Sequence, residues 1–429
     1  MRETPSAIGT ARFRAAWVLA GSIIALAGAS PAAAAPVYAY QQTLQIPGTT
    51  AANLFTGYDL AAIDPATRLY YLTDRSNNGI DVYSTLSNTF VGRIGAGLFT
   101  GTAGGNNDIA GPNGISISNT AVGKLLVTGD GASNVVSFNL DSAGLNVLGA
   151  PRSVSTAVAG TPAPPNRVDG VAYAPTANTI LAANNASDPG FVTLIDNATG
   201  AVIRSIPLDG TGGYPDAAGN GVEATIFNTA RGTFFVAVPT LDTAGTGPGG
   251  VIELDPADGR LLNTFDFAAL GVPGACSPTG VSQGAGAAVF VACSDPDATG
   301  SLVLDPAGSG SVRAVPGIRG GDQTYYDPVT NTFFQAARAQ PGGPVLGVVD
   351  ADTLALQVLP IGVNDHSVAA YGGLAYVASG PTAAIPGCTF GCIGVFAAAT
   401  PVPEPGTLPL LASAVVIAGL AITRRKGHA

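Results

Sequence analysis

Tryptophan, methionine, histidine and lysine are nearly absent from this 429-residue chain, which has one Trp, one Met and two His. The lone tryptophan, Trp17, sits in an apolar N-terminal stretch. Sites built on tryptophan, such as the Asp-box repeats of sialidases or the tryptophan docking of quinoproteins, are therefore excluded. Lys124 and Lys426 are the lysines, and His366 is the one histidine between residues 36 and 400. A Ser or Cys nucleophile activated by histidine has a single candidate base. There is no C-x-x-C-H run for a haem, and neither a P-loop nor a dinucleotide fingerprint opens a β-α unit. Charge of either sign is scarce, at 11% of residues.

The charge that is present is acidic. The chain has 18 basic and 28 acidic residues. Setting aside Arg2, Arg12, Arg14, Arg424, Arg425 and Lys426 leaves 12 basic residues, and setting aside Glu3 leaves 27 acidic ones, a net charge near −15 for the body. Such a body repels a phosphate backbone, which argues against nucleic acid and favours solubility, calcium and cationic partners. Glycine and proline together make 90 residues, interleaved with Val, Ile, Phe and Tyr runs. That composition predicts a turn-dense, all-β protein.

Both ends differ from the body. Arg2, Arg12 and Arg14 precede an apolar run from Ala15 to Ala29 and a small-residue segment from Ser30 to Ala35. This reads as an export signal over residues 1–35, cut near Ala33 or Ala34 because Pro36 disfavours cutting after Ala35. Residues 401–429 carry Val402-Pro403-Glu404-Pro405-Gly406, then an apolar run from Thr407 to Thr423 and then Arg424-Arg425-Lys426. About 18 residues at ~1.5 Å rise make roughly 27 Å of helix, enough to cross a bilayer, with the basic cluster held in the cytoplasm. The Pro-Glu-Pro box, apolar span and basic tail resemble the PEP-CTERM sorting signal of Gram-negative bacteria. That resemblance implies an exosortase-type membrane transpeptidase as partner and the cell surface or exopolysaccharide matrix as destination. The alternative is a plain C-terminal membrane anchor.

Four cysteines suit an oxidising compartment. Cys276 and Cys293 flank a strand pair, and Cys388 and Cys392 bracket a short loop, so two disulfides are expected. A four-cysteine zinc site is the weaker reading, because the spacings match no zinc ribbon.

The body, residues 36–400, repeats. One unit runs from Asp59 through Asp64-Pro65-Ala66-Thr67-Arg68-Leu69-Tyr70 to Val82, and is echoed by Asp322 through Asp327-Pro328-Val329-Thr330-Asn331-Thr332-Phe333 to Val349. Related units start at 113, 169, 223, 279 and 365, giving spacings of 54, 56, 54, 56, 43 and 43 residues. Each reads as four strands joined by turns. Seven such sheets predict an all-β, seven-bladed β-propeller. The units resemble the YVTN-type repeats of bacterial surface propellers, although Leu72-Thr73-Asp74 stands where Val-Thr-Asn is usual. The last unit is one strand short, and Val37–Ile46 belongs to no unit, so the N-terminal strand is expected to complete the last blade.

Aligning the units places Asp59, Asn113, Asp169, Glu223, Thr279, Asp322 and Asp365 at one mouth of the central channel. This oxygen-rich ring suits a hard cation such as Ca2+, and it resembles the metal mouth of gluconolactonase-like and phosphotriesterase-like propellers. The competing reading is architectural, with each carboxylate capping a turn or bonding the next blade. Arg75, Arg338 and His366 are expected on the same face, where the arginines could recognise a carboxylate or sugar acid. Three functions stay open: a binding or scaffold module for exopolysaccharide or a small molecule, a metal-dependent lactonase or hydrolase, and a structural surface protein.

Overall fold

The computed structural model describes residues 36–399 apart from 158–165, 218–220, 243 and 296. The segments expected to be an export signal and a sorting tail lie outside the described residues, and no helix among the described residues is long and apolar enough to cross a membrane.

The described residues form seven four-stranded antiparallel sheets. Six follow the chain in order. The seventh joins Ser367–Tyr371, Leu374–Ser379 and Cys392–Ala398 to the N-terminal strand Tyr38–Gln45. The two ends of the body thus meet in one blade, with Tyr38 opposite Ala398 and Gln45 opposite Cys392, and the expected closure is observed.

Blade stacking explains the burial pattern. Second strands such as Leu69–Asp74, Thr179–Asn184 and Thr332–Ala337 are buried at every position, because a neighbouring blade covers each face. The outer strand Val202–Pro207 is mostly exposed. The core is accordingly not central. Seven hydrophobic wedges each fill the gap between two adjacent blades. Phe290 stacks on Phe333 across one gap at 4.9 Å, and Tyr70 meets Tyr376 across the closing gap at 5.2 Å.

The repeated Asp-Pro-x-Thr segment is a turn device. Asp64 accepts from the Ala66 N–H at 3.1 Å and from Thr67 Oγ1 at 2.6 Å. Asp327 does the same with Val329 at 2.9 Å and Thr330 at 3.0 Å. Arg68 and Asn331 then take positive φ of 59° and 52° to finish each turn. Lys124 spans two blades, its Nζ 2.6 Å from Asp64 Oδ2, with both side chains buried. Both expected disulfides form, Cys276–Cys293 and Cys388–Cys392.

The inner strands come unusually close at their starts. The Gly114 N–H donates to Asp169 O at 2.9 Å, Ala224 to Thr279 O at 3.1 Å and Gln323 to His366 O at 3.1 Å. Glycine is required where a Cβ would strike the next blade: at Gly114 it would run into the Asp169 carbonyl, and at Gly280 into that of Asp322.

Two outcomes test this account. Lys124→Met should cost about 3–5 kcal/mol in denaturant unfolding, because it strands a buried carboxylate; a change below ~0.5 kcal/mol would mean that the ion pair is dispensable. Deleting residues 37–46 reopens the closing edge and should lower the melting temperature strongly, whereas an unchanged melting temperature would contradict closure through that strand.

Candidate functional site

The inner strands surround a channel of about 540 Å3, and its charged end widens into a mouth of about 430 Å3. Leu60, Asp169, Glu223, Thr279 and Asp322 line both spaces. The ring residues lie at or just before the starts of the inner strands, where inter-blade hydrogen bonds hold the backbone at Asp169, Thr279 and His366.

Asp59, Asp169, Glu223, Thr279 and Asp322 converge as the repeat alignment predicts. Two ring assignments need correction. Asp365 does not line the mouth. Its carboxylate turns inward, accepting from the Gly362 N–H at 2.7 Å and from Tyr58 Oη at 3.1 Å. Burial pushes its pKa up to about 6, against hydrogen bonds from Ser379 and Gly362. His366, one residue later, gives the inter-blade carbonyl and the channel side chain. Asn113 is fully buried, accepts from Arg75 at 3.0 and 2.6 Å and donates to Val168 O at 2.7 Å, so it holds Arg75 rather than facing a ligand.

Arg75, Arg338 and His366 do line the mouth, joined by Arg167, whose role the sequence reading missed. The ring is therefore not an open acidic cluster. Arg75 Nη2 lies 2.8 Å from Asp59, Arg167 Nε 3.2 Å from Asp169 and Arg338 Nη2 3.1 Å from Asp322. Among the described residues no three or more His, Cys, Asp or Glu side chains group as a metal ion would need, and each of these three carboxylates has a guanidinium in contact.

The pairing has a simple origin. In three blades the residue that follows the second strand reaches back to that blade's ring residue. Arg75 does so for Asp59, Asn185 for Asp169 at 2.9 Å, and Arg338 for Asp322. In the fourth blade that position, after Thr233–Val238, is Pro239, which has no side-chain donor. No ion pair or hydrogen bond reaches Glu223 from a described side chain within contact distance.

The electrostatics follow. Burial pushes Asp59 upward, but Arg75 and then His366 outweigh it and hold the carboxyl well below its usual range. Burial and the neighbouring Asp169 and Asp322 raise Glu223 well above the ordinary range, and Arg167 and Arg338 only partly oppose them. Asp169 is also raised, chiefly by burial, despite Arg167. Burial favours neutral His366, yet its Nε2, 3.5 Å from Asp59, and the charge of Asp322 raise it overall. The imidazole is fixed by stacking on Tyr58, which stacks on Phe55, and by Nδ1 lying 2.8 Å from Asn364 O.

Several other polar side chains of the blades are structural. Asp74 and Asp81 are fully buried beside one another with Arg93 Nε 2.5 Å from Asp81; burial and Asp81 push Asp74 up to about 7. Asp130 accepts from the Thr100 N–H at 3.1 Å, and Asn184 from Thr156 Oγ1 at 2.5 Å. Asp295 closes its own turn through the Asp297 N–H at 2.7 Å.

Solved structures show what this fold resembles. Kuenenia stuttgartiensis hydrazine synthase matches with a TM-score of 0.55 at 14% identity, covering 78% of this chain and 96% of that one. The RRP9 WD40 repeats match with a TM-score of 0.56 at 10% identity over 85% of this chain and 99% of that one. The Myceliophteria thermophila Cps50 (Swd1) β-propeller domain gives 0.56 at 10% identity over 85% and 100%. At such identities the likeness establishes the seven-bladed β-propeller fold and nothing more. No protein-family model and no curated protein sequence matches the chain.

Glu223 supplies a test by pH. Its folded pKa is raised, so its contribution is favourable below the ordinary value of 4.5 and is lost as pH rises through the higher folded value. Glu223→Gln should therefore raise the melting temperature at pH 8 and leave it nearly unchanged at pH 4. A variant less stable than the parent at pH 8 would show that the carboxylate is compensated after all.

Proposed function

We propose that this chain is an exported β-propeller, delivered by an exosortase-type transpeptidase to the cell surface or exopolysaccharide matrix of a Gram-negative bacterium, where it works as a binding or scaffold module. The N-terminal signal, the Val402–Pro405 box and the Arg424-Arg425-Lys426 tail support the route. The fold is consistent with a binding role, since a propeller ring presents one rigid channel mouth. The observation that carries the ligand site is the mouth itself: four carboxylates, three guanidinium groups and one imidazole converge on about 430 Å3. So many charged groups around a small opening suit a polar ligand held by directional hydrogen bonds.

The metal-dependent lactonase reading has less support, because three of the ring carboxylates face arginines. A purely structural role leaves Arg338 unexplained, whose side chain stays 43% exposed at the rim while touching Asp322.

The route is tested by mass spectrometry of the protein recovered from its native surface. Both ends should be missing, with cuts near Ala34 and near Pro403-Glu404-Pro405. Protein released into the medium with Arg424-Arg425-Lys426 intact would refute the sorting reading. The binding role is tested on a glycan array, where a signal should be lost in Asp322→Ala combined with Arg338→Ala.

A further inference from the structure

Strand polarity places both ends of the body on the face opposite the mouth. Inner strands start at the mouth and run away from it, second strands return, and third strands run away again. The turns after the first and third strands of every blade therefore form the far face. In the closing blade the third strand, Cys392–Ala398, ends there, with Ala398 opposite Tyr38 at the start of the N-terminal strand. The Ala399 N–H donates to Val37 O at 2.7 Å, so the chain departs toward its tail from the far face.

The same face carries the most exposed apolar side chains. Among the described residues, the five most exposed large ones are Val363, Val122, Leu86, Val329 and Val37. Val363 lies on the mouth side, in the loop before the inner strand Ser367–Tyr371. The other four, 61–75% exposed, sit at the far end of four consecutive blades, the sixth, seventh, first and second. These ends touch one another. Thr330 Oγ1 lies 3.1 Å from Tyr38 Oη, Asn88 Oδ1 accepts from Tyr376 Oη at 2.6 Å, and Gly144 O accepts from Tyr71 Oη at 2.9 Å. The far turns of the fourth blade carry Arg231, Asp255, Asp258 and Arg260 instead. Single exposed valines are ordinary, but apolar tips gathered on one arc mark an interaction surface.

We propose that, in the anchored precursor, this arc of the far face rests on the outer surface of the bilayer that residues 407–423 cross, with the charged mouth pointing away from the membrane. The inference rests on the exported, tail-anchored reading above and adds to it an orientation and a docking face. Residues 400–406 span at most about 25 Å when fully extended, so the tether holds the far face close to the lipid. A link that short makes the second contact intramolecular, and apolar tips that bind weakly on their own then suffice. The lipid is zwitterionic, because the cations of these turns are engaged within the ring: Lys124 with Asp64, Arg68 over the Tyr371 ring and Arg152 with Asn197 O. Anionic headgroups need a free basic cluster, and Asp141 and Asp352 on the same turns would repel them. Docking also places Pro403-Glu404-Pro405 between the far face and the bilayer, within reach of a membrane-embedded transpeptidase.

Tryptophan fluorescence tests this. Trp17 is the chain's one tryptophan, so in a Trp17→Phe background an added tryptophan is the sole emitter. Full-length Leu86→Trp and Val363→Trp proteins are purified from the membranes of a Gram-negative host without an exosortase and reconstituted into phosphatidylcholine vesicles. Brominated phosphatidylcholine should quench Leu86→Trp several-fold more than Val363→Trp. Equal quenching at the two positions, or none at Leu86→Trp, would overturn the orientation. A blue shift at Leu86→Trp without quenching would mean that protein, not lipid, covers the face. Tryptophan itself favours the interface, so Leu86→Trp is also combined with Val122→Asp and Val329→Asp. Quenching should then fall to the Val363→Trp level with the melting temperature unchanged. Persistent quenching would show that the tether alone sets the distance and would remove the docking face. Anchoring is read separately by flotation, where the parent should rise with the vesicles and a chain stopped after residue 406 should not. If both rise or neither does, the anchored reading fails and the docking face falls with it. If flotation behaves as expected and the quenching does not, the anchor stands and the docking face alone is lost.

Discussion

The close approach of the inner strands is the constraint on which the rest depends. Seven sheets can surround a channel only if each inner strand begins against the backbone of the next. The Gly114, Ala224 and Gln323 amides make that junction by donating to the following blade. Gly114, Gly170 and Gly280 exist because a Cβ there would meet the neighbouring chain. The same junction fixes the functional geometry. A residue whose carbonyl accepts from the preceding blade presents its side chain at the channel rim, as Asp169, Thr279 and His366 do, so the repeat that builds the ring also builds the mouth.

Placing like charges on such a ring is costly unless something compensates, because the channel wall is poorly solvated. In three blades the chain compensates locally, from the residue after the second strand. Arg75, Asn185 and Arg338 are three answers to one geometric problem, each serving the ring residue of its own blade. Pro239 is the exception. It ends its strand without offering a donor, and burial together with Asp169 and Asp322 leaves Glu223 with raised proton affinity. An arrangement that optimised stability alone would place a donor at residue 239 or a neutral side chain at 223. Binding sites are where such departures from local consistency are expected.

Much of the architecture was legible in the sequence because it is repeated. The unit spacing gave the number of blades, the orphan strand at the N-terminus gave the closure, and the Asp-Pro-x-Thr turns marked where first strands end. The ring itself was legible in five of seven blades. It failed at Asp365 because that carboxylate is consumed by its own turn, through Gly362 and Tyr58, and passes the ring position to His366. It failed at Asn113 because an amide can satisfy both Arg75 and a backbone carbonyl, which draws it out of the channel. Neither outcome shifts the spacing of the repeat. The charge balance was misread for a related reason. Arg75 and Arg338 were visible as members of the same face, but their pairing with the ring needed the register of the second strand. Arg167 precedes Asp169 by two residues, a position that holds no arginine in any other unit.

The one lysine of the body shows how the same economy works away from the channel. Asp64 serves its turn through Ala66 and Thr67 and, in the same carboxylate, the Lys124 ammonium of the next blade. Burial opposes ionisation there, but the lysine and the turn donors outweigh it and lower the Asp64 pKa. A group held ionised by fixed donors needs no outside ligand. Glu223 has the opposite surroundings, with burial and two like charges around it and, among the described residues, no side-chain donor in contact. Both are carboxylates next to inner strands of one propeller. The difference between a structural charge and one available to a ligand lies in whether the fold itself supplies the donor, and in the fourth blade it does not.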